Sequence, residues 1–213
     1  MGQMAEMTEL TSEAELRELL GSPARRSATK VRPVLHARDR DWLAASPFCL
    51  IATCAADGRC DVSPKGDPPG FVQVLDDTTI AIPDRAGNRR FDGFVNILSN
   101  PQVGLLFLVP GRDDTLRING RARLIREAPF LDDMIVRGNR PRLALLVEVE
   151  EVFTHCAKAF LRARLWDEQT WNPGMLPSVA RITKDLQPDT EETVEELEQH
   201  YGPSYRELLY PGS

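Results

Sequence analysis

Between Phe48 and Phe153 the chain alternates short apolar runs with tight-turn signals, and any fold has to accommodate that rhythm. Phe48 to Cys54 is apolar, Ala55 to Arg59 holds the turn pair Asp57-Gly58, and Cys60 to Ser63 resumes an extended run, which predicts a hairpin. Phe71 to Leu75 and Thr79 to Ile82 flank Asp76-Asp77 and predict a second. Val103 to Val109 reads as a continuously apolar strand, Leu116 to Ile125 as another with Gly120 as a bulge, and Leu143 to Phe153 as the last. The expected fold is mainly β with peripheral helices, an α+β arrangement around a six-stranded antiparallel barrel.

Between the strands lie the segments that interrupt them. Ser63 to Gly70 carries Pro64, Pro68 and Pro69 beside Gly66 and Gly70, so it is expected as a rigid loop or bulge. Phe91, Phe94, Val95 and Leu98 follow helical spacing until Asn100-Pro101, which predicts a helix directly after Arg89-Arg90. Ser12 with Glu15 predicts a capped helix ending at Gly21; 23–40 reads as a basic surface connector, and Asp39 to Ala45 as a second short helix. Short helices are also expected at Ala128 to Val136, Ala157 to Leu165 and Glu191 to Tyr201. With 213 residues, the chain fits one large domain: 1–45 as helices and connector on the barrel, 46–166 as the barrel, and 167–213 as a helical extension.

Composition removes several functions. A formal charge of -6 argues against nucleic acid and anionic lipid as partners. No run approaches the ~20 apolar residues of a membrane span, and Met1 leads into Glu6, Glu9 and Glu13 without the regions of a secretory leader, so a cytoplasmic protein is expected. Cys49, Cys54, Cys60 and Cys156 lack CxxC spacing and are expected as reduced, packed thiols; His36, His155 and His200 lie too far apart in sequence to suggest a metal site. The spacings of the nucleophile elbow, zinc peptidase, P-loop and dinucleotide fingerprint are missing.

Four stretches carry candidate chemistry. Pro83 to Arg90 ends a strand with a glycine-containing turn that brings Asn88, Arg89 and Arg90 to a helix start, where guanidinium forks and free amides suit a phosphate; a solvated turn neutralised by Asp84 and Asp92 is the plain alternative. Ser63, Pro64, Lys65, Gly66 and Asp67 offer a hydroxyl, a cation and accessible backbone to a planar ligand, or simply make a barrel corner. Thr115, Arg117 and Asn119 share a strand face that lines a ligand or meets solvent. Lys158, Arg162 and Trp166 form a basic, aromatic end to the core, or a surface helix anchored by its Trp.

Taken in order, Ser46-Pro47-Phe48, Ala52-Thr53, Asp57-Gly58, Asp61 to Phe71, Pro83-Asp84-Arg85, Gly87 to Arg90, Gly104 to Phe107, Thr115-Leu116-Arg117, Asn119-Gly120 and His155 to Lys158 resemble the FMN-binding split-barrel superfamily of pyridoxamine 5'-phosphate oxidase. The likeness is to its branch of FMN-dependent enzymes of unassigned reaction. It implies a homodimer with FMN in clefts between subunits, Ser63 to Asp67 along the isoalloxazine, and Pro83, Asp84, Asn88, Arg89 and Arg90 on ribityl and phosphate. Thr115 or Arg117 is implied near the ring, with Lys158, Arg162 and Trp166 coming from the partner subunit. The oxidase's phosphate-binding pattern for its substrate is missing from 128–141, where only Arg137, Asn139 and Arg140 stand. The resemblance implies an oxidoreductase acting on a small molecule or electron donor, or else a non-catalytic module holding flavin or another planar cofactor such as haem.

Overall fold

The computed structural model describes residues 7–210; Met1 and Glu6, on which part of the leader argument rests, lie outside them. The chain divides into two units, one up to Val31 and one from Arg32 onward. In the first, α1 (Glu13–Leu20) begins at Ser12, whose hydroxyl accepts from the Glu15 amide at 3.2 Å, and ends at Gly21 as expected. The Glu15 carboxylate turns back to the amide of Thr11 rather than of Ser12, so the reciprocal box is displaced by one residue. A short α2 (Arg25–Ala28) follows inside the segment read as connector.

In the second unit Arg32 exchanges backbone hydrogen bonds with Val152, and Leu35 donates to the carbonyl of Asp77, so the remainder of that segment is bonded to the sheet. Helix α3 (Ala37–Ala45) starts two residues before the expected position because His36 and Asp39 form a capping box. Asp39 is buried, and Arg32 holds it with two hydrogen bonds at 2.6 and 2.9 Å, which keeps the Arg32 guanidinium protonated above its ordinary value.

The sheet has seven strands rather than six: β1 (Phe48–Cys54), β2 (Cys60–Gly66), β3 (Gln73–Val74), β4 (Thr79–Pro83), β5 (Gln102–Leu108), β6 (Thr115–Ile125) and β7 (Ala144–His155). All pair antiparallel in the order β2-β1-β5-β6-β7-β4-β3, and no pairing closes β2 onto β3, so the sheet is open. Of the expected Phe71 to Leu75 strand only Gln73 and Val74 form β3; Leu75 adds a backbone hydrogen bond to the Thr79 carbonyl at 2.9 Å, and Phe71 and Val72 are buried in the core. Gly120 falls at the register shift of β6: a Cβ there would lie 2.0 Å from the Glu148 carbonyl oxygen, so only glycine lets β7 approach. The expected loop at Ser63 is in part a strand, because β2 is the sheet edge and Pro64 there has no second neighbour to donate to.

One face of the sheet carries the core: Cys49 and Ile51, Leu105 and Phe107, Leu116 and Ile118, Ile80 and Ile82, Leu145 and Val147 are all buried. Along β5, Leu106 and Leu108 alternate with the core residues and are only half-buried, so within one chain the apolar run 103–109 is covered on one face. Helix α4 (Asp92–Ser99) also presents a different stripe from the expected one. Ile97 is buried and Phe94 packs on the core, while Phe91, Val95 and Leu98 face outward. Pro129–Met134 is a 3-10 helix whose Leu131 and Met134 pack with Ala81 and Ala144 in a second small core. The chain finishes with α5 (Lys158–Ala163), α6 (Val179–Leu186), α7 (Val194–His200) and a 3-10 turn at Pro203–Leu209. Cys49 is buried, but the expectation of packed thiols fails for Cys60 and Cys156, which are exposed. Among the described residues no helix is long and apolar enough to cross a membrane.

Candidate functional site

Alternation along β2 turns Asp61, Ser63 and Lys65 toward the core side of the sheet, where a cleft of about 770 Å³ opens between this row, the segment after β4 and the start of α4. All of Ser63, Pro64, Lys65, Gly66, Asp67, Pro83, Asp84, Asn88, Arg89 and Arg90 line it. Two runs separated in sequence therefore meet at one place.

The inner wall is ionic and fixed. Lys65 Nζ lies 2.6 Å from Asp84 Oδ1, both side chains 20% exposed, with the ammonium 4.7 Å from the Phe94 ring centroid. Arg85 Nε meets Asp67 Oδ2 at 2.5 Å, and the Asp67 side chain has no exposed surface. Arg85 also donates to the carbonyls of Asn139 and Met134, at 3.1 and 2.7 Å. Tyr210 hydrogen-bonds Asp67, its ring facing the guanidinium groups of Arg85 and Arg137. Burial and the Asp67 carboxylate raise the Tyr210 phenol above its ordinary value, and the two arginines oppose them. Beneath Lys65, burial pushes the Cys49 thiol up to about 12, with the Lys65 charge pulling it down.

The outer wall is a turn. Asn88 Oδ1 accepts the Arg90 amide at 3.1 Å, and Arg89 and Phe91 both sit at φ 61°, a left-handed conformation that coils the backbone in front of α4. Arg90 Nε donates to Asp92 Oδ2 at 2.7 Å; that bond holds the Asp92 carboxyl below its ordinary value and raises Arg90. Arg89 is exposed and makes no hydrogen bond or ion pair among the described residues. No side chain caps α4, whose Gly93 lies against Thr53, Asp61 and Ser63. The stacked rings of Phe91 and Phe94, 6.0 Å apart, make this wall aromatic.

Five predicted site residues lie elsewhere in the same chain. Thr115 is buried at the start of β6 opposite His155. Arg117 stands on the outer face of the sheet, bonded to Asn119 at 3.2 Å and lying over the Phe153 ring. Lys158 and Arg162 are exposed on α5, and Trp166 donates to the Arg112 carbonyl at 2.7 Å, anchoring the end of that helix. Sequence reasoning missed Arg85, Arg137 and Tyr210 as members of the site. The apolar Leu208-Leu209-Tyr210 run after a polar stretch was the only signal for the last.

The profile of the family described as pyridoxamine 5'-phosphate oxidase matches residues 35–156. Among solved structures, HupZ of Group A Streptococcus is 21% identical over 56% of this chain and 93% of its own, with a TM-score of 0.45. An FMN-binding protein of Syntrophomonas wolfei is 12% identical over 56% and 89%, with a TM-score of 0.42. General Stress Protein 26 of Bacillus anthracis is 13% identical over 56% and 94%, with a TM-score of 0.38. No curated protein matches.

Proposed function

The chain belongs to the pyridoxamine 5'-phosphate oxidase family, and from that premise we propose that it is an FMN-dependent oxidoreductase acting on a small molecule or electron donor, cytoplasmic and homodimeric. The observation that carries this reading is the division of the cleft into an ionic, partly apolar floor and an arginine turn. Its volume of about 770 Å³ suits a cofactor-sized ligand. Asn88, Arg89 and Arg90 would hold the phosphate, where Arg89 has a guanidinium free of carboxylates among the described residues and α4 begins without a side-chain cap. Ser63 to Asp67, with Pro83 and Asp84, would border the ribityl chain and the ring.

Bound there, the flavin supplies hydride transfer. The protein's part is to bind, orient and set charge. Asp84 pins Lys65, so its ammonium is a fixed charge in the cleft rather than a mobile arm. Arg85 and Asp67 neutralise each other and hold the floor through the carbonyls of Met134 and Asn139.

A homodimer is proposed because the outer face of the sheet leaves apolar surface uncovered: Ala52 is exposed, Leu50, Leu106 and Leu108 are half-buried, and Val62 on the edge is 58% exposed. Each copy would then carry Lys158, Arg162 and Trp166 to the cleft of the other, and of Thr115 and Arg117 only Arg117 has exposed surface with which to approach a ring. A second reading, a flavin- or haem-holding module without turnover, is favoured by the side chains in the cleft: Asp67, Asp84 and Asp92 are each paired with a cation.

The test is to purify the protein, titrate the apoprotein with FMN, record the visible spectrum and add reduced nicotinamides. A flavin spectrum bleached by a donor, from a protein that sediments as a dimer when apo, is expected. A flavin spectrum that no donor bleaches supports the module, haem absorption replaces flavin with another cofactor, and a monomer holding stoichiometric FMN overturns the subunit arrangement.

A further inference from the structure

The β1–β2 hairpin brings two cysteines face to face. Cys54 and Cys60 are register partners at its turn end, next to the pair in which the Ala55 amide donates to the Arg59 carbonyl at 2.8 Å. Hydrogen-bonded and non-hydrogen-bonded pairs alternate along an antiparallel ladder, so Cys54 and Cys60 occupy the non-hydrogen-bonded kind. Such pairs have Cα atoms ~4.5 Å apart, at the short end of the ~4.4 to 6.8 Å window a disulfide spans. Cys60 is exposed and Cys54 half-buried at the turn end of the outer face, one pair beyond Ala52 and Val62, so small oxidants reach the pair in the single chain and in a dimer that leaves the turn end open. The neighbouring Cys60 thiol raises the Cys54 thiol above its ordinary value, while Cys54 Sγ donates to the Ala55 carbonyl at 3.5 Å and Cys60 Sγ to the Gly58 carbonyl at 3.6 Å, leaving the more exposed Cys60 sulfur to meet an oxidant first. The other two cysteines offer no alternative partner: Cys49 is buried, and Cys156 follows β7, with β1, β5 and β6 between it and β2.

We propose that Cys54 and Cys60 are a redox-modification site, a dithiol that a peroxide closes to a cross-strand disulfide. The Cys60 thiolate attacks a peroxide oxygen; the O–O bond breaks, hydroxide leaves and takes up a proton as water, and Cys60 becomes a sulfenic acid. Cys54 sulfur then attacks the Cys60 sulfur. The S–S bond forms, the S–O bond breaks, and the departing hydroxide leaves as water with the Cys54 proton. The sulfur pair loses two electrons and the peroxide gains them. A disulfide at this exposed position is open to reduction by thiols, which suits reversible modification better than a permanent staple.

The bond would act on the candidate site through one strand. β2 has a single neighbour in the sheet, and Asp61, immediately after Cys60, begins the row that continues through Ser63 and Lys65 into the cleft. Tying Cys60 to Cys54 fixes the turn end of that strand covalently to its one neighbour, β1. This inference does not rest on flavin binding.

The full chain, treated with hydrogen peroxide, quenched in acid, alkylated after denaturation and digested, tests it. Wild type and Cys49→Ala with Cys156→Ser should lose the mass of two hydrogens in a linkage joining Cys54 to Cys60, and dithiothreitol should restore both. Cys54→Ser and Cys60→Ser should form no intrachain linkage. Amide hydrogen exchange across 61–65 should slow in the oxidised protein and recover on reduction. Full alkylation of both thiols after peroxide, a linkage to Cys156 or to a second chain, or a higher oxide on Cys60 with Cys54 still alkylatable would overturn the assignment. Unchanged exchange in protein whose disulfide has formed would overturn the coupling to the cleft.

Discussion

Arg85 and Arg89 leave β4 on the same turn, four positions apart, and behave oppositely. Arg85 is spent internally: its side chain is 15% exposed, it meets a fully buried carboxylate, and its remaining donors go to two carbonyls from the segment before β7. Arg89 has an exposed side chain on a left-handed backbone with no partner among the described residues. The same residue type is architecture in one case and, in the other, an exposed cation without a carboxylate among the described residues. What separates them is whether an acidic side chain reaches them first, as Asp67 does for Arg85 and Asp84 does for Lys65.

Removing Arg85 should break that contrast most forcefully. Arg85→Ala leaves Asp67 buried without a counter-charge, and loss of one partner of such a pair costs about 3 to 5 kcal/mol. Urea unfolding should register that loss with no FMN present. A variant as stable as the wild type would show that Asp67 and Arg85 are not the coupled floor described above. Arg89→Ala should leave the unfolding midpoint unchanged and weaken FMN about ten- to a hundred-fold, the range for a lost charge-assisted hydrogen bond. Riboflavin, which lacks the phosphate, should bind both proteins alike; equal losses for the two ligands would move Arg89 into the architectural class. Arg90 stands between the classes, because Asp92 competes for it at the surface. Asp92→Asn should therefore tighten FMN without affecting riboflavin, read from the same titrations.

The last effect is absent at neutral pH and appears only in alkali, on the locked side. The Cys49 thiol, pushed from 9.0 to about 12, keeps its proton in the folded protein after the unfolded chain has released it. The folded form then binds more protons, so stability falls as pH rises from about 9 toward 12 and is unaffected at neutrality. Cys49→Ala should lose that part of the alkaline slope in pH-dependent unfolding; an identical slope would assign it to other groups.

The strands and their turns were legible because alternation and turn chemistry are local. The arginine turn was legible for the same reason, its residues being contiguous. Three features were not. Of the expected α4 stripe Phe94 packs on the core, but Ile97 joins it in place of Phe91, Val95 and Leu98, because the apolar spacing fits either side of the helix and the strands it meets, β1, β6 and β2, decide. Pro64 looked like a strand breaker, yet an edge strand tolerates it, and edge position is a property of the whole sheet. Besides Arg85, Asp67 bonds Tyr210, 143 positions away, a distance over which no periodicity speaks.

That last contact also sets an order of events. A ribosome releases the chain from its N-terminus onward, so β1 through β7 can pair, and both arginines of the turn can reach their places, while the segment carrying Tyr210 is still being made. Joining residues so far apart carries a loop-closure entropy that local hairpins avoid. The Tyr210 side of the cleft is accordingly the part finished last during synthesis. A proteolytic nick anywhere between Trp171 and Pro203 would cut the covalent tether to that side while leaving every strand of the sheet intact.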